Sequence, residues 1–229
     1  MSKASTHIPV RPPSDKVQVF TVENLQELYN YLAENDRDLQ QIIGTYGYPP
    51  LWIRPNTFAT LVLTILEQQV SIASAYASFK RLQEKIEITP ENLLVLTDDE
   101  LKACAFSRQK IKYTRILAEA IIAGTINLAH FNDHHDDHIR TELKKLKGIG
   151  DWTVDIYLLH ALQRTDIFPV GDLALVKAIK EVKELSSKET KEELIEMSKQ
   201  WMPYRSLATM LLWHYYLSKR SKNLDLGGL

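Results

Sequence analysis

Near the middle of the chain, Gly148-Ile149-Gly150 joins two helical runs within LKKLKGIGDWTVDIYLLHALQRTDIFPVGDLALVKAIK, residues 143–180. Two glycines around one apolar residue permit a turn with positive φ angles and let another backbone come very close. The helix pair on either side of that turn constrains the architecture more than any other segment. The second helix, which Asp151 is expected to cap, would point free N–H groups outward, a ready site for a phosphate oxygen. Such a hairpin can hold a nucleic-acid backbone without reading its sequence. Further on, Ile167-Phe168 leads through Pro169-Val170-Gly171 to Asp172 and another helical run. Asp172 therefore stands at a helix N-terminus, where aspartate is also a common structural cap.

The rest of the chain reads as helical. Glycine is sparse, with 8 residues, and apolar positions recur at helical spacing with no sustained alternation of the strand type. Residues 1–20 carry prolines and polar residues without periodicity and read as an arm. Leu25, Leu28, Tyr29 and Leu32 mark one helix face, and Asp36 or Asp38 begins a second helix ending near Gly44. YGYPPLWIRPN is a rigid connector, because proline disfavours helix at its own position and before it. The next helix, with Phe58, Leu61, Val62, Ile65 and Leu66, is too apolar for one exposed stripe. Ser71 opens a helix to about Leu82. Thr89-Pro90 is a cap followed by proline at the first helical position, and Thr97/Glu100 and Thr190/Glu193 have capping-box spacing. Further helices are expected near 108–123, 137–146, 152–163, 173–184, 190–200 and 204–219, with 221–229 a frayed tail.

Composition excludes several classes. A single cysteine, Cys104, rules out an internal disulfide framework, an all-cysteine zinc site and a four-cysteine iron–sulfur cluster, and it reads as a small buried side chain. The absence of a signal-peptide core or long apolar span points to a protein that is not secreted and sits in the cytoplasm, near the nucleoid, with no membrane partner. A net charge of −1 argues against a generic polyanion binder. Local basic clusters, Arg108/Lys110/Lys112/Arg115 and Lys144/Lys145/Lys147, suit phosphate contacts or simply solvated helix faces. The run HFNDHHDDH places His134 and His138 four apart. It fits a solvated turn before the hairpin better than a metal site, since no ligand set elsewhere completes one.

Hairpin, spacer, Pro-x-Gly-Asp and helix together resemble the helix-hairpin-helix DNA glycosylase superfamily, and within it the 3-methyladenine DNA glycosylase II branch. The hairpin of that branch reads like GIGxWTA, and GIGDWTV departs only in its last residue. ILEQQVSIASA, with Gln68, Gln69 and Ser71, resembles its helix pair with Gln-Gln before a serine. FSRQK resembles its Ser-x-x-Lys turn, here Ser107 and Lys110, and WMPYRSLATMLLW resembles its Pro-Trp/Tyr-Arg-Ser segment ending in tryptophan. The likeness is ordered and spans about residues 36–216.

The resemblance implies an all-α fold over residues 21–220, two helical subdomains or lobes flanking an active-site cleft with the hairpin at its mouth. The β-rich N-terminal domain of larger relatives is expected to be missing. It implies a base-excision-repair enzyme that acts on damaged double-stranded DNA, flips out an alkylated purine and hydrolyses its N-glycosidic bond, with a monomer as the default expectation. The alternative is a non-catalytic binder of damaged DNA. Asp172 takes the role of catalytic carboxylate. Relatives that also nick the strand carry an imine-forming lysine just after the hairpin, where this chain has Trp152, so the expected product is an intact abasic site. Trp152 and Trp213, then Tyr204 and Trp52, are candidates for the base pocket, with core packing the alternative for each. Ile156 and Leu173 stand where relatives often place tyrosines, which makes the pocket more aliphatic. Gln69 matches a wedge that fills the gap left by the flipped nucleotide, or is a polar helix-end residue. Gly148, Ile149, Gly150, Ser107 and Lys110 complete the expected DNA contacts. No organic cofactor is implied. A Na+ or K+ ion held by the backbone carbonyls of Lys144, Leu146 and Ile149 would bridge hairpin and phosphate.

Overall fold

In the computed structural model, which describes residues 18–220, most of the helices begin where capping residues stand. Helix α1 (Leu25–Asn35) buries Leu25, Leu28, Tyr29 and Leu32 on one face. Asp36 caps α2 (Arg37–Tyr46), its side chain accepting the N–H groups of Asp38 and Leu39. That helix passes through Gly44 and closes at Gly47, whose φ of 77° suits glycine. Residues 47–57 form the irregular connector.

Thr57 caps α3 (Phe58–Glu67), in which Phe58 and every residue from Thr60 to Leu66 are buried. Ser71 caps α4 (Ile72–Lys85) and Thr89 caps α5 (Pro90–Val95). Thr97 and Glu100 form a complete capping box on α6 (Asp98–Ala103), and Ser107 caps α7 (Arg108–Ile122). Then come α8 (Asp136–Leu143), α9 (Asp151–His160) and α10 (Leu173–Val182), the last capped by Asp172. A second capping box, Thr190/Glu193, starts α11 (Lys191–Ser198), and α12 (Arg205–Arg220) ends the described chain.

These helices pack as two lobes. In one, α3 lies against α4, α7 and α9, with α5 and α6 on α7 and α8 on α9. In the other, α12 packs on α1, α2 and α10. The chain thus leaves the second lobe after α2, builds the first, and returns before α10. Residues 47–57 and 161–172 carry both crossings, tied together by Arg54 N–H donating to the His160 carbonyl (2.8 Å). The Arg54 guanidinium forms a bidentate pair with Glu67 of α3 (2.8 and 2.6 Å), fixing the connector to the first lobe.

Two expectations need correction. The arm does not extend to residue 20: Val19 pairs with Arg164 in an isolated antiparallel bridge and Phe20 is buried, so its last residues are part of the fold. The rest of the arm and the expected tail fall outside the described residues. The His/Asp run is likewise more than a solvated turn. Buried Arg164 donates to the carbonyls of Phe131, Asn132 and His134 (2.8–3.2 Å) and pairs with Asp136 (3.0 Å), because a buried guanidinium needs acceptors and this turn supplies them. Among the described residues no group of three or more His, Cys, Asp or Glu is arranged to hold a metal ion. Cys104 is buried, and no described helix is long and apolar enough to cross a membrane.

Candidate active site

The hairpin between α8 and α9 uses its two glycines differently. Gly148 has φ of 97°, and a Cβ there would lie 2.1 Å from the ring of Tyr113 on α7. Conformation and crowding both demand glycine. Gly150 has φ −107° and ψ −177°, ordinary extended backbone, with nothing within 4 Å of an added Cβ. The expectation of positive φ therefore holds for Gly148 alone, and Gly150 leaves open space before α9. Between them, Ile149 is buried, so its side chain anchors the turn and only its backbone is available to a ligand.

Asp151 is not the cap of α9. Gly150 is, and Asp151 is the first helical residue, its carboxylate drawn to the Lys144 ammonium at 2.6 Å. No side chain caps the first N–H groups of α9, which suits an external anion. The Gln68 amide holds the turn from behind, donating to the Gly148 carbonyl (2.8 Å) and Thr153 Oγ1 (2.9 Å). Asp155 of α9 is buried in an ion pair with Arg140 of α8, and burial pushes its carboxyl up to about 6 against the pull of that charge. Lys144 is the C-cap of α8, and the Leu146 carbonyl accepts the Ile149 N–H (3.1 Å) while keeping a second lone pair.

Gln69 follows directly, exposed and with φ of 57°, a left-handed conformation that glutamine adopts only when its surroundings impose it. Exposed Val70 and Ile72 flank it. Ser107 is an N-cap, accepting the Lys110 N–H at 3.3 Å. Lys110 departs from expectation: its ammonium turns inward to the Leu66 carbonyl at the end of α3 (2.6 Å), and burial lowers its pKa. A carbonyl past its helical partners attracts the nearest cation, and here that tie joins α7 to α3. Arg115, Lys144 and Lys145 are also held by neighbours within the chain.

Asp172 is where the lobes meet. Its Oδ1 accepts the Leu175 N–H (2.8 Å), the N-cap bond, and the Trp213 indole N–H (3.0 Å); its Oδ2 accepts the Trp152 indole N–H (3.1 Å). Trp152 comes from α9 in one lobe and Trp213 from α12 in the other. A carboxylate offers about four lone-pair sites, so Oδ2 keeps one for a water or ligand. The half-buried carboxylate forms no ion pair among the described residues. A charge left unpaired beside three oriented donors is suited to stabilising a cation that forms next to it.

Three of the four aromatic candidates gather here, and Tyr204 does not. Tyr204 is buried with its ring edge-on to Tyr31 of α1 (5.5 Å), a core contact. The chain enters α12 beneath α1 at that point, which draws the ring into the second lobe. Trp152 and Trp213 were expected to offer faces to a base, and the indole N–H groups bound to Asp172 are a role their sequence positions did not reveal. Trp213 is enclosed, with the Trp52 ring edge-on (6.4 Å) and the His160 ring stacked within 15° of parallel (5.5 Å). His160 is the residue that sequence reasoning missed; its only signal was a polar residue inside IYLLHAL. Burial first, then the Arg54 charge, lowers its pKa to about 3 despite a 2.6 Å hydrogen bond to the Trp52 carbonyl. Ile156 is buried, whereas Leu173, one residue past the carboxylate, is 75% exposed.

Residues 62–204 match the HhH-GPD superfamily of base excision DNA repair proteins. The chain is 27% identical over 205 residues to DNA-3-methyladenine glycosylase 1 of Schizosaccharomyces pombe, covering 87% of this chain and 90% of that one. The S. pombe enzyme's structure with abasic DNA superposes with a TM-score of 0.77 at 26% identity, over 82% of this chain and 95% of that one. A DNA-3-methyladenine glycosidase from Bacillus halodurans is similar at a TM-score of 0.69 and 27% identity, covering 90% and 95%.

Proposed function

The chain belongs to the HhH-GPD superfamily of base excision DNA repair proteins, and from that premise we propose that it is an alkylation-repair DNA glycosylase with Asp172 as its catalytic carboxylate. One observation carries the assignment of the catalyst. Asp172 is fixed by two indole N–H groups and a helix N-terminus, yet no cation among the described residues neutralises it. An alkylated purine is already cationic, so its glycosidic bond is weak before the enzyme acts. Once the nucleotide is flipped out, the sugar carbon develops positive charge as the bond breaks, and a fixed anion beside it lowers that barrier. The free lone pair of Oδ2 orients or deprotonates the attacking water. Binding damaged DNA without chemistry would give no reason to hold an unpaired carboxylate between two lobes.

The hairpin and Gln69 grip the duplex. Uncapped N–H groups of α9 receive a phosphate oxygen through the open space at Gly150, and the strained, exposed Gln69 turn enters the gap left by the flipped base. The carbonyls of Lys144, Leu146 and Ile149 are hard oxygen donors suited to a Na+ or K+ ion, which would neutralise the same phosphate and take no part in bond cleavage. Trp52 and Trp152, both half-buried, offer ring faces to a cationic base, with Leu173 as an aliphatic wall. The product is an intact abasic site, because an indole at Trp152 forms no imine. One copy of the chain supplies all these groups, so a monomer suffices.

The test is base release from methylated duplex DNA, with free bases identified by chromatography and borohydride added in parallel. Free 3-methylpurine and an uncut abasic strand are expected, with no borohydride-trapped adduct. An adduct mapping to any lysine would overturn the monofunctional reading, and no released base would overturn the glycosylase.

A further inference from the structure

We propose that His160 is a positioning residue for the reaction: its ring, stacked on Trp213, holds the indole in the plane from which its N–H reaches Asp172. This rests on the reading of Asp172 as the catalyst. An indole has one donor, directed in the plane of its ring, so a tilt of Trp213 would lose the 3.0 Å bond to Oδ1 while leaving the ring buried. Two partners oppose that tilt. Trp52 meets the indole at 70°, and His160 lies within 15° of parallel across its face.

His160 is itself locked. Its Nδ1 is 2.6 Å from the Trp52 carbonyl oxygen, an acceptor only, so Nδ1 carries the proton and donates. Its own carbonyl accepts the Arg54 N–H. Ring and backbone are thus both fastened to the 47–57 connector, which the Arg54–Glu67 pair fixes to α3. The line from Glu67 through Arg54, His160 and Trp213 to Asp172 runs from the first lobe into the second. It sets the carboxylate in relation to the lobe that carries the hairpin. Pure packing needs only an apolar ring here. Histidine adds an N–H that stops rotation about the side-chain bonds and, remaining neutral, puts no charge beside the indole.

The experiment compares wild type, His160→Leu and His160→Phe in single-turnover base release, abasic-duplex affinity and indole N–H exchange by NMR. The Trp213 signal is identified from its loss in Trp213→Phe. His160→Leu is expected to slow the chemical step about tenfold, with affinity within about twofold, and to speed exchange of the Trp213 indole proton. His160→Phe restores the flat contact and is expected to recover part of both. Wild-type rate and exchange in either folded variant would overturn the proposal, as would loss of rate and affinity together. Should His160→Leu not fold, His160→Phe still decides: slower chemistry with faster exchange supports it, and unchanged values overturn it. An Asp172→Asn control separates the premise: if that variant stays active the catalyst lies elsewhere, while the exchange data still report whether His160 orients Trp213.

Discussion

Asp36 and Asp172 occupy the same kind of place, and one difference between them separates structure from chemistry. Each caps a helix and accepts an indole N–H, from Trp201 for Asp36 (2.7 Å) and from Trp152 and Trp213 for Asp172. Asp36 is buried, and the Lys183 ammonium reaches both its oxygens at 2.8 Å. Burial pushes the Asp36 carboxyl up, but hydrogen bonds from Lys183 and Trp201 and the Lys183 charge outweigh it, and the net shift is downward. Asp172 has the indoles without the ammonium. The two ends of α10 supply the contrast, since Lys183 is its C-cap and Asp172 its N-cap. With a cation added, the arrangement ties α2 to α10; without one, it leaves a half-buried carboxylate at the lobe boundary with a lone pair unused.

The largest effect expected is at Asp172. Asp172→Asn keeps the cap and the shape but removes the charge, and base release should fall at least about a thousandfold while abasic-duplex affinity stays within about tenfold. Asp36→Asn makes the same chemical change with the opposite result. Asparagine still caps, and Asp38 still holds Lys183 at 2.7 Å, so the cost should be about 2–3 kcal/mol of stability, read by denaturant unfolding, with near-normal turnover per folded molecule. If Asp36→Asn abolished turnover in folded protein, or Asp172→Asn lost only stability, the comparison would be reversed.

Two glycines divide in the same way and give the next effect. Gly148→Ala must adopt left-handed backbone and displace the Tyr113 ring, so at least about 2 kcal/mol of stability should be lost. Gly150→Ala meets no neighbour and no forbidden angle, so stability should hold within about 0.5 kcal/mol. Its effect should appear only as weaker binding to abasic duplex across a salt series. Wild-type binding by folded Gly150→Ala would remove the hairpin from the DNA-binding face.

The fold was legible because its signals are local. Caps at Asp36, Ser71, Thr89, Thr97, Asp172 and Thr190 fix helix starts from neighbouring residues, and the burial of α3 follows from its own composition. Asp172 was legible as a site only through its ordered companions, since a cap alone looks the same at Asp36. Side-chain direction was not legible. Lys110 turns to a carbonyl on α3, Tyr204 to a ring on α1, and the indoles of Trp152 and Trp213 to one carboxylate across the lobe boundary. Those choices are made by packing between segments far apart in the chain, about which a motif's spacing carries no information.

Acid should separate the two regions, with the smallest of these effects. His160, beside the Asp172 cluster, has a pKa lowered from 6.5 to about 3, by burial and then by the Arg54 charge. Below 6.5 the unfolded chain takes up a proton at this histidine and the folded chain does not. The stability it contributes is therefore complete above 6.5 and is lost as pH falls toward about 3, by up to about 1.4 kcal/mol per unit. Asp36 also has a lowered pKa, but its ordinary value is 3.8, so its contribution persists until the pH drops below that. Near pH 5 the contribution of His160 should have weakened while that of Asp36 is intact. Denaturant unfolding of wild type and His160→Phe at about pH 7.5 and about pH 5 isolates the histidine, because Asp155 and every other titrating group occur in both chains. Wild type should lose about 2 kcal/mol more than the variant over that interval. Equal losses would mean that His160 takes up a proton in the folded chain as readily as in the unfolded one, and a cation would then stand against the Trp213 ring, removing the contrast with the Lys183-neutralised Asp36.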